Sequence, residues 1–150
     1  MGVKTKEMKR IHLYRGKRLD NGQWVEGFYS NLYIEEKCKE QSIITYQNFY
    51  AADMSYPYPS VNTVEAEVDS ETVGQFTGMT DKNGTKIFEG DIVRHIDTTC
   101  HVFEVVNSEV YFDTEMLKFR FRYSNELFHC QFNNELEVIG NIYDNKDLLK

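Results

Sequence analysis

The chain has 150 residues, enough for one domain with a real core, and its 14% aromatic content with only two prolines excludes a disordered polymer. Net charge is −7, but residues 1–18 hold seven basic groups against the single acid Glu7, so the rest carries −13. A body that acidic repels phosphate backbones and leaves nucleic-acid contact to the basic arm or a local patch. No apolar run is long enough to span a bilayer, and the first residues lack the apolar segment of a secretory signal. Three cysteines, Cys38, Cys100 and Cys130, are too few and too odd for a disulfide framework. Together these features point to the cytoplasm, with no membrane partner.

Ten tyrosines and ten phenylalanines suit half-buried strands. The expected fold is mainly β: antiparallel hairpins forming a small barrel-like or sandwich body, closed by a short C-terminal helix. Residues 1–10 read as a basic arm, solvated or partner-bound, and 11–150 as one domain.

A first hairpin spans 11–29, from Ile11-His12-Leu13-Tyr14 through the turn Asp20-Asn21-Gly22 to Gln23–Tyr29. Its single tryptophan, Trp24, reads as a core anchor. Leu32-Tyr33-Ile34 is followed by a charged tip, Glu35 to Gln41, and then by a strand at Ser42–Tyr46. Residues 47–60 hold both prolines and no period, so they read as a long loop. Its rings Phe49, Tyr50, Tyr56 and Tyr58 offer a candidate partner-binding surface, or else fold back onto the sheet.

Val64–Asp69 alternates apolar and acidic residues, as a half-buried strand does. The densest patterning lies at 73–96. There Asp81-Lys82-Asn83-Gly84 has a side-chain acceptor and a glycine where a type I turn with a bulge needs them, and Glu89-Gly90-Asp91 makes a second corner. Gly16 and Gly22 stand at the same interval as Gly78 and Gly84, and Glu26-Gly27 echoes Glu89-Gly90, which suggests two equivalent hairpins.

Beyond the corner, Cys100–Val106 reads as a strand, Asn107-Ser108 as a turn and Val110–Phe112 as the return strand. Asp113–Met116 reads as a short helical turn. Lys118 to Tyr123 alternates, placing Lys118, Arg120 and Arg122 opposite three rings. These cations are the body's candidate nucleic-acid contact, or they pair with strand carboxylates such as Glu104 or those of residues 64–69. Residues 136–143 form a last strand, and Asp144 is placed to cap a helix over Asn145–Leu149.

Chemistry is sparse. Cys100-His101 and His129-Cys130 are adjacent pairs whose members point to opposite faces of a strand, so neither pair makes a metal site. No nucleophile elbow, phosphate loop or dinucleotide fingerprint is present. Glu89 and Asp91 are better explained as acceptors for main-chain N–H groups at the corner. No catalytic residue, cofactor or metal is expected.

Three blocks carry a family resemblance. They are Tyr14–Arg18 with Asn21–Gly27, then Glu71–Gly78 with Asp81-Lys82-Asn83-Gly84 and Glu89–Val93, and finally Glu137–Tyr143. In order and spacing they closely resemble the signature of the YopX family of bacteriophage and prophage proteins. The resemblance implies a motif of shape, carried by Gly74, Gly78, Asp81, Asn83, Gly84, Glu89, Gly90 and Asp91, and it supplies no catalytic or binding residue. The Glu-Gly-Asp-Ile-Val corner also resembles the opening strand of SH3-like barrels. The function expected is that of an accessory protein working by protein contact, in self-assembly or with a host or phage partner. Nucleic-acid binding through the arm and the Lys118, Arg120, Arg122 face is the alternative.

Overall fold

The structure, a computed structural model, describes residues 12–34, 39–49, 61–97, 104–122 and 136–149. The basic arm, all three cysteines, His101, His129, Tyr50, Tyr56 and Tyr58 lie outside these residues.

The chain opens with β1 (Tyr14–Lys17), β2 (Trp24–Ile34), β3 (Lys39–Phe49) and β4 (Val61–Glu67), followed by a 3-10 turn at Ser70–Thr72. Next come β5 (Gly74–Thr80), β6 (Lys86–Phe88), β7 (Asp91–Asp97), β8 (Glu104–Asp113), β9 (Lys118–Phe121) and β10 (Glu137–Asn141). A six-stranded sheet has the order β4-β3-β2-β1-β5-β6, and a four-stranded sheet the order β10-β7-β8-β9. All pairings are antiparallel. Neither sheet closes into a barrel among the described residues. The nearest approach to closure is one bridge, Arg18 to Val68, flanked by Leu19 N–H to Glu67 O and Asp69 N–H to Lys17 O.

The sheet change happens at the corner that the glycine pattern marks. β6 belongs to the first sheet and β7 to the second, and only Glu89 and Gly90 separate them. Gly90 has φ +81°, which an L side chain rarely adopts, and a Cβ there would lie 3.0 Å from the Tyr143 ring. Behind the corner, Ile87, Val93, Val110, Phe121 and Leu136 form the main core, with Met79, Phe119 and Val138 packed on it. The first sheet buries Ile44, Ala66 and Val68. A Cβ on Gly27 would sit 2.2 Å from the Thr45 carbonyl oxygen, so only glycine allows β2 to approach β3 this closely.

Several expectations are corrected. The C-terminal helix is a 3-10 turn, Lys146–Leu149. Asn107-Ser108 does not turn: β8 runs through both residues, because Ser108 is buried with its hydroxyl 3.0 Å from His95 Nε2, and Asn107 donates to the Leu148 carbonyl at 2.9 Å. Polar residues with tertiary partners need no loop. Lys39–Gln41 and Gln47–Phe49 are strand, not tip and loop. At Asp113–Met116 the chain makes a hairpin turn, with Asp113 Oδ1 accepting from the Glu115 and Met116 N–H groups.

The hairpin echo holds at the turn glycines, Gly22 with φ +69° and Gly84 with φ +82°, and fails at the other two pairs. Gly16 is a buried strand residue beside Ile44 and Val68, whereas Gly78 is exposed with φ +87°. Likewise Gly27 lies within β2 while Gly90 makes a corner, so equal spacing serves different geometry.

Candidate functional site

The three sequence blocks, far apart in the chain, meet where the two sheets join. Arg15 on β1 reaches Asp91 at the start of β7, with Nη1 2.6 Å from Oδ1. Asp91 is 1% exposed, and its Oδ2 accepts the Phe88 N–H at 2.7 Å. Burial pushes its carboxyl above the ordinary value, with the Arg15 charge and the Phe88 N–H opposing. The guanidinium lies between two rings, 4.9 Å from the Trp24 centroid and 5.0 Å from that of Phe88.

Trp24 continues the contact outward. Its ring is tilted against Tyr143 at 5.7 Å, and its Nε1 donates to Asp144 Oδ2 at 2.8 Å. Asp144 also meets Lys17 Nζ at 2.5 Å and accepts from Asn141 Nδ2 at 3.2 Å. The Lys17 and Trp24 bonds lower its pKa to about 2. Its carboxylate therefore ties the C-terminal segment to the first hairpin instead of capping a helix. The lone tryptophan is accordingly half-buried at the sheet junction and not a core anchor.

At the β5–β6 turn, Asp81 Oδ1 accepts from the N–H groups of Asn83 and Thr85, and Gly84 with φ +82° completes the bend. Its second oxygen has a long-range partner, the Val138 N–H of β10 at 3.0 Å. Burial alone would raise the carboxyl, but the Val138, Thr85 and Asn83 amides outweigh it and hold the pKa below its ordinary value. Glu89 Oε1 accepts from the Phe112 N–H at 3.3 Å. The acids at both corners thus accept main-chain bonds, as the sequence indicates, and two of them also join strands across the fold.

Two adjoining clefts, about 450 and 300 Å³, lie beside Tyr143 and share Glu109, Arg122 and Ile142 in their walls. Burial raises the Tyr143 hydroxyl, which Arg15 opposes and Glu89 and Glu109 reinforce. Among the described residues no three His, Cys, Asp or Glu side chains are placed to share a metal ion.

The cation face is engaged locally. Arg120 pairs with Asp113 at 3.0 Å and Arg122 with Glu109 at 2.9 Å, while Lys118 stands opposite Asp113 in the β8–β9 register. The arginines' partners are therefore on the neighbouring strand β8, not Glu104 or residues 64–69. Of the aromatic candidates, Phe49 ends β3 opposite Val61.

Sequence reasoning missed Arg15, whose partner lies 76 positions away, and His95, 3% exposed and stacked on Phe121 at 4.4 Å. It also missed the outward side chains of the β2–β3 ribbon: Phe28 (69% exposed), Leu32 (48%) and Tyr33 (63%). The first and last had a signal, a charged and an aromatic residue inside turn-flanked strands. His95 had none.

No helix among the described residues is long and apolar enough to cross a membrane. No curated protein matches the chain at a significant level. Among solved structures, the crystal structure of protein EF1440 from Enterococcus faecalis is similar in fold, with a TM-score of 0.55 and 23% identity over 95% of this chain and 100% of that one. The family model described as YopX protein matches residues 13–150, and the chain belongs to the YopX family.

Proposed function

We propose that the protein is a phage- or prophage-encoded accessory protein of the host cytoplasm, acting without catalysis through contacts with protein, either its own copies or a host or phage partner. The observation that carries this reading is the clustering of Phe28, Leu32 and Tyr33 on one ribbon, at 48–69% exposure, whereas the other exposed large apolar side chains among the described residues, Leu19, Val105, Met116 and Leu117, lie on other segments. Support also comes from the sheet junction. A catalytic acid or base must meet substrate, and Asp81, Asp91 and Asp144 are each engaged by groups of the fold itself.

Nucleic-acid binding is the second reading, favoured by the basic residues of the first 18 positions. The pairing of Arg120 with Asp113 and of Arg122 with Glu109 weakens it. Capture from host lysate with and without nuclease separates the two. Protein contact predicts co-purifying protein, or further copies of the chain, that survives nuclease. Capture abolished by nuclease, together with retention on DNA or RNA that falls steeply with salt, would favour the second reading.

A further inference from the structure

β2 has a neighbour on each side, but over different residues. β1 covers it from Trp24 to Gly27, and β3 covers the opposite side from Phe28 to Ile34. On the β1 side, Phe28 to Ile34 therefore has no strand beside it among the described residues.

Two hydrogen bonds show which main-chain groups face that open side. The Arg18 N–H donates to the Gln23 carbonyl in the β1–β2 hairpin, so odd-numbered residues of β2 direct their N–H and C=O groups toward β1. Within the open stretch these are Tyr29, Asn31 and Tyr33. An independent bond agrees. The Val68 N–H donates to the Ser42 carbonyl, so even-numbered residues of β3 face β4 and odd-numbered ones face β2. By register, Thr45, Ile43 and Gln41 then bond Phe28, Ser30 and Leu32, leaving the odd residues of β2 to the outside.

Open strand edges are normally blunted by a lysine, a proline or a bulge. From Gly27 to Ile34 the chain reads GFYSNLYI, without a charge or a proline, and its register with β3 runs without a shift. We propose that this edge pairs antiparallel with the same edge of a second copy, forming a sheet continuous across a twofold axis. The inference rests on the protein-contact reading and names its surface and partner.

The choice of a second copy follows from charge and symmetry. In a chain of net charge −7, this stretch carries no charge of its own, and the carboxylate beside it, Glu40, is engaged by Asn31 Nδ2 at 3.3 Å, so two copies meet with no like charges directly opposite. A twofold contact is self-complementary, and Asn31 is the midpoint of the open stretch. Pairing over its full length sets Asn31 opposite the partner's Asn31 and Tyr29 opposite the partner's Tyr33. On the other face, Phe28 comes diagonal to the partner's Leu32, which covers the apolar side chains that the isolated chain exposes.

The test is solution mass by sedimentation across a concentration series, read on the full chain and on Asn31→Pro. Proline there removes an outward N–H and the exposed side-chain bond from Asn31 Nδ2 to Glu40, and leaves the main-chain bonds to β3 in place. The expected result is a dimer for the full chain and a monomer for Asn31→Pro, with little change in its melting. With Cys38, Cys100 and Cys130 replaced by serine, Asn31→Cys should crosslink to a dimer and Ser30→Cys should not, because facing Cα atoms across the axis lie within disulfide reach.

A monomer at every concentration, or a dimer untouched by Asn31→Pro and without the Asn31→Cys crosslink, overturns the proposal. A dimer that appears only after residues 1–10 are removed overturns it too, and makes the chain's own arm the occupant. A monomer that still captures protein after nuclease sinks self-pairing but leaves the protein-contact reading standing.

Discussion

The sheet junction and the β2–β3 ribbon use opposite chemistry. At the junction, charge is paired within the fold: Arg15 meets the buried Asp91, and Lys17, Trp24 and Asn141 converge on the exposed Asp144. On the ribbon, the outer stretch of β2 carries no charge and shows Phe28, Leu32 and Tyr33 to solvent. Ionic groups positioned by several partners fix one geometry and are costly to disturb. A neutral edge that has no strand beside it among the described residues costs the fold little to alter and is suited to adding a strand. The same β2 serves both, with Trp24 at one end in the junction and Tyr33 at the other on the ribbon.

Substitutions at the junction should therefore change stability, and the largest effect is expected at Asp91. Asp91→Ala leaves the Arg15 guanidinium, whose side chain is 13% exposed, without its counter-charge, and should cost about 3–5 kcal/mol in urea unfolding. Replacing both partners, as Arg15→Met with Asp91→Leu, should recover much of that loss. A double variant as unstable as the single one would mean that the ion pair matters for more than mutual neutralisation. Next comes Asp81→Ala, which removes the acceptor for three main-chain N–H groups and should cost about 2–3 kcal/mol, loosening the β10 end along with the turn.

A smaller effect concerns pH. Asp144 titrates at about 2 in the fold, below its ordinary 3.8, so the unfolded chain binds the proton first as pH falls. Its stabilising contribution is present above pH 3.8 and is lost on the way to pH 2. The stability difference between pH 4 and pH 2 should shrink in Asp144→Asn, with the remaining slope owed to carboxylates such as Asp81. Asp91 acts in the other direction, its raised pKa favouring the fold below 3.8 and losing that contribution as pH rises through the folded value. An unchanged slope in Asp144→Asn would show that its contacts with Lys17 and Trp24 do not hold in solution.

The turns and alternations were legible because their causes are local. Asp81, Asn83, Gly84 and Gly90 declare their bends through side-chain acceptors and positive φ, and Val64–Asp69 declares its two faces. What could not be read depends on distant partners. Ser108 looks like a turn residue until His95 lies beside it, and Asp144 looks like a helix cap until Lys17 and Trp24 arrive. Lys39–Gln41 looks like a loop because, among the described residues, the ribbon there pairs with β2 alone, β4 joining only from Ile43 onward. The open edge was illegible for a related reason: periodicity shows that a strand exists, but not where its neighbour stops.

The contrast between the regions turns on three amides. Hydrogen exchange read residue by residue at low and high protein concentration separates Tyr29, Asn31 and Tyr33, which point outward, from Phe28, Ser30 and Leu32, which bond to β3. The account predicts that the first three gain protection as concentration rises, while the second three stay protected throughout. Exchange at Tyr29, Asn31 and Tyr33 that stays fast at every concentration would contradict it.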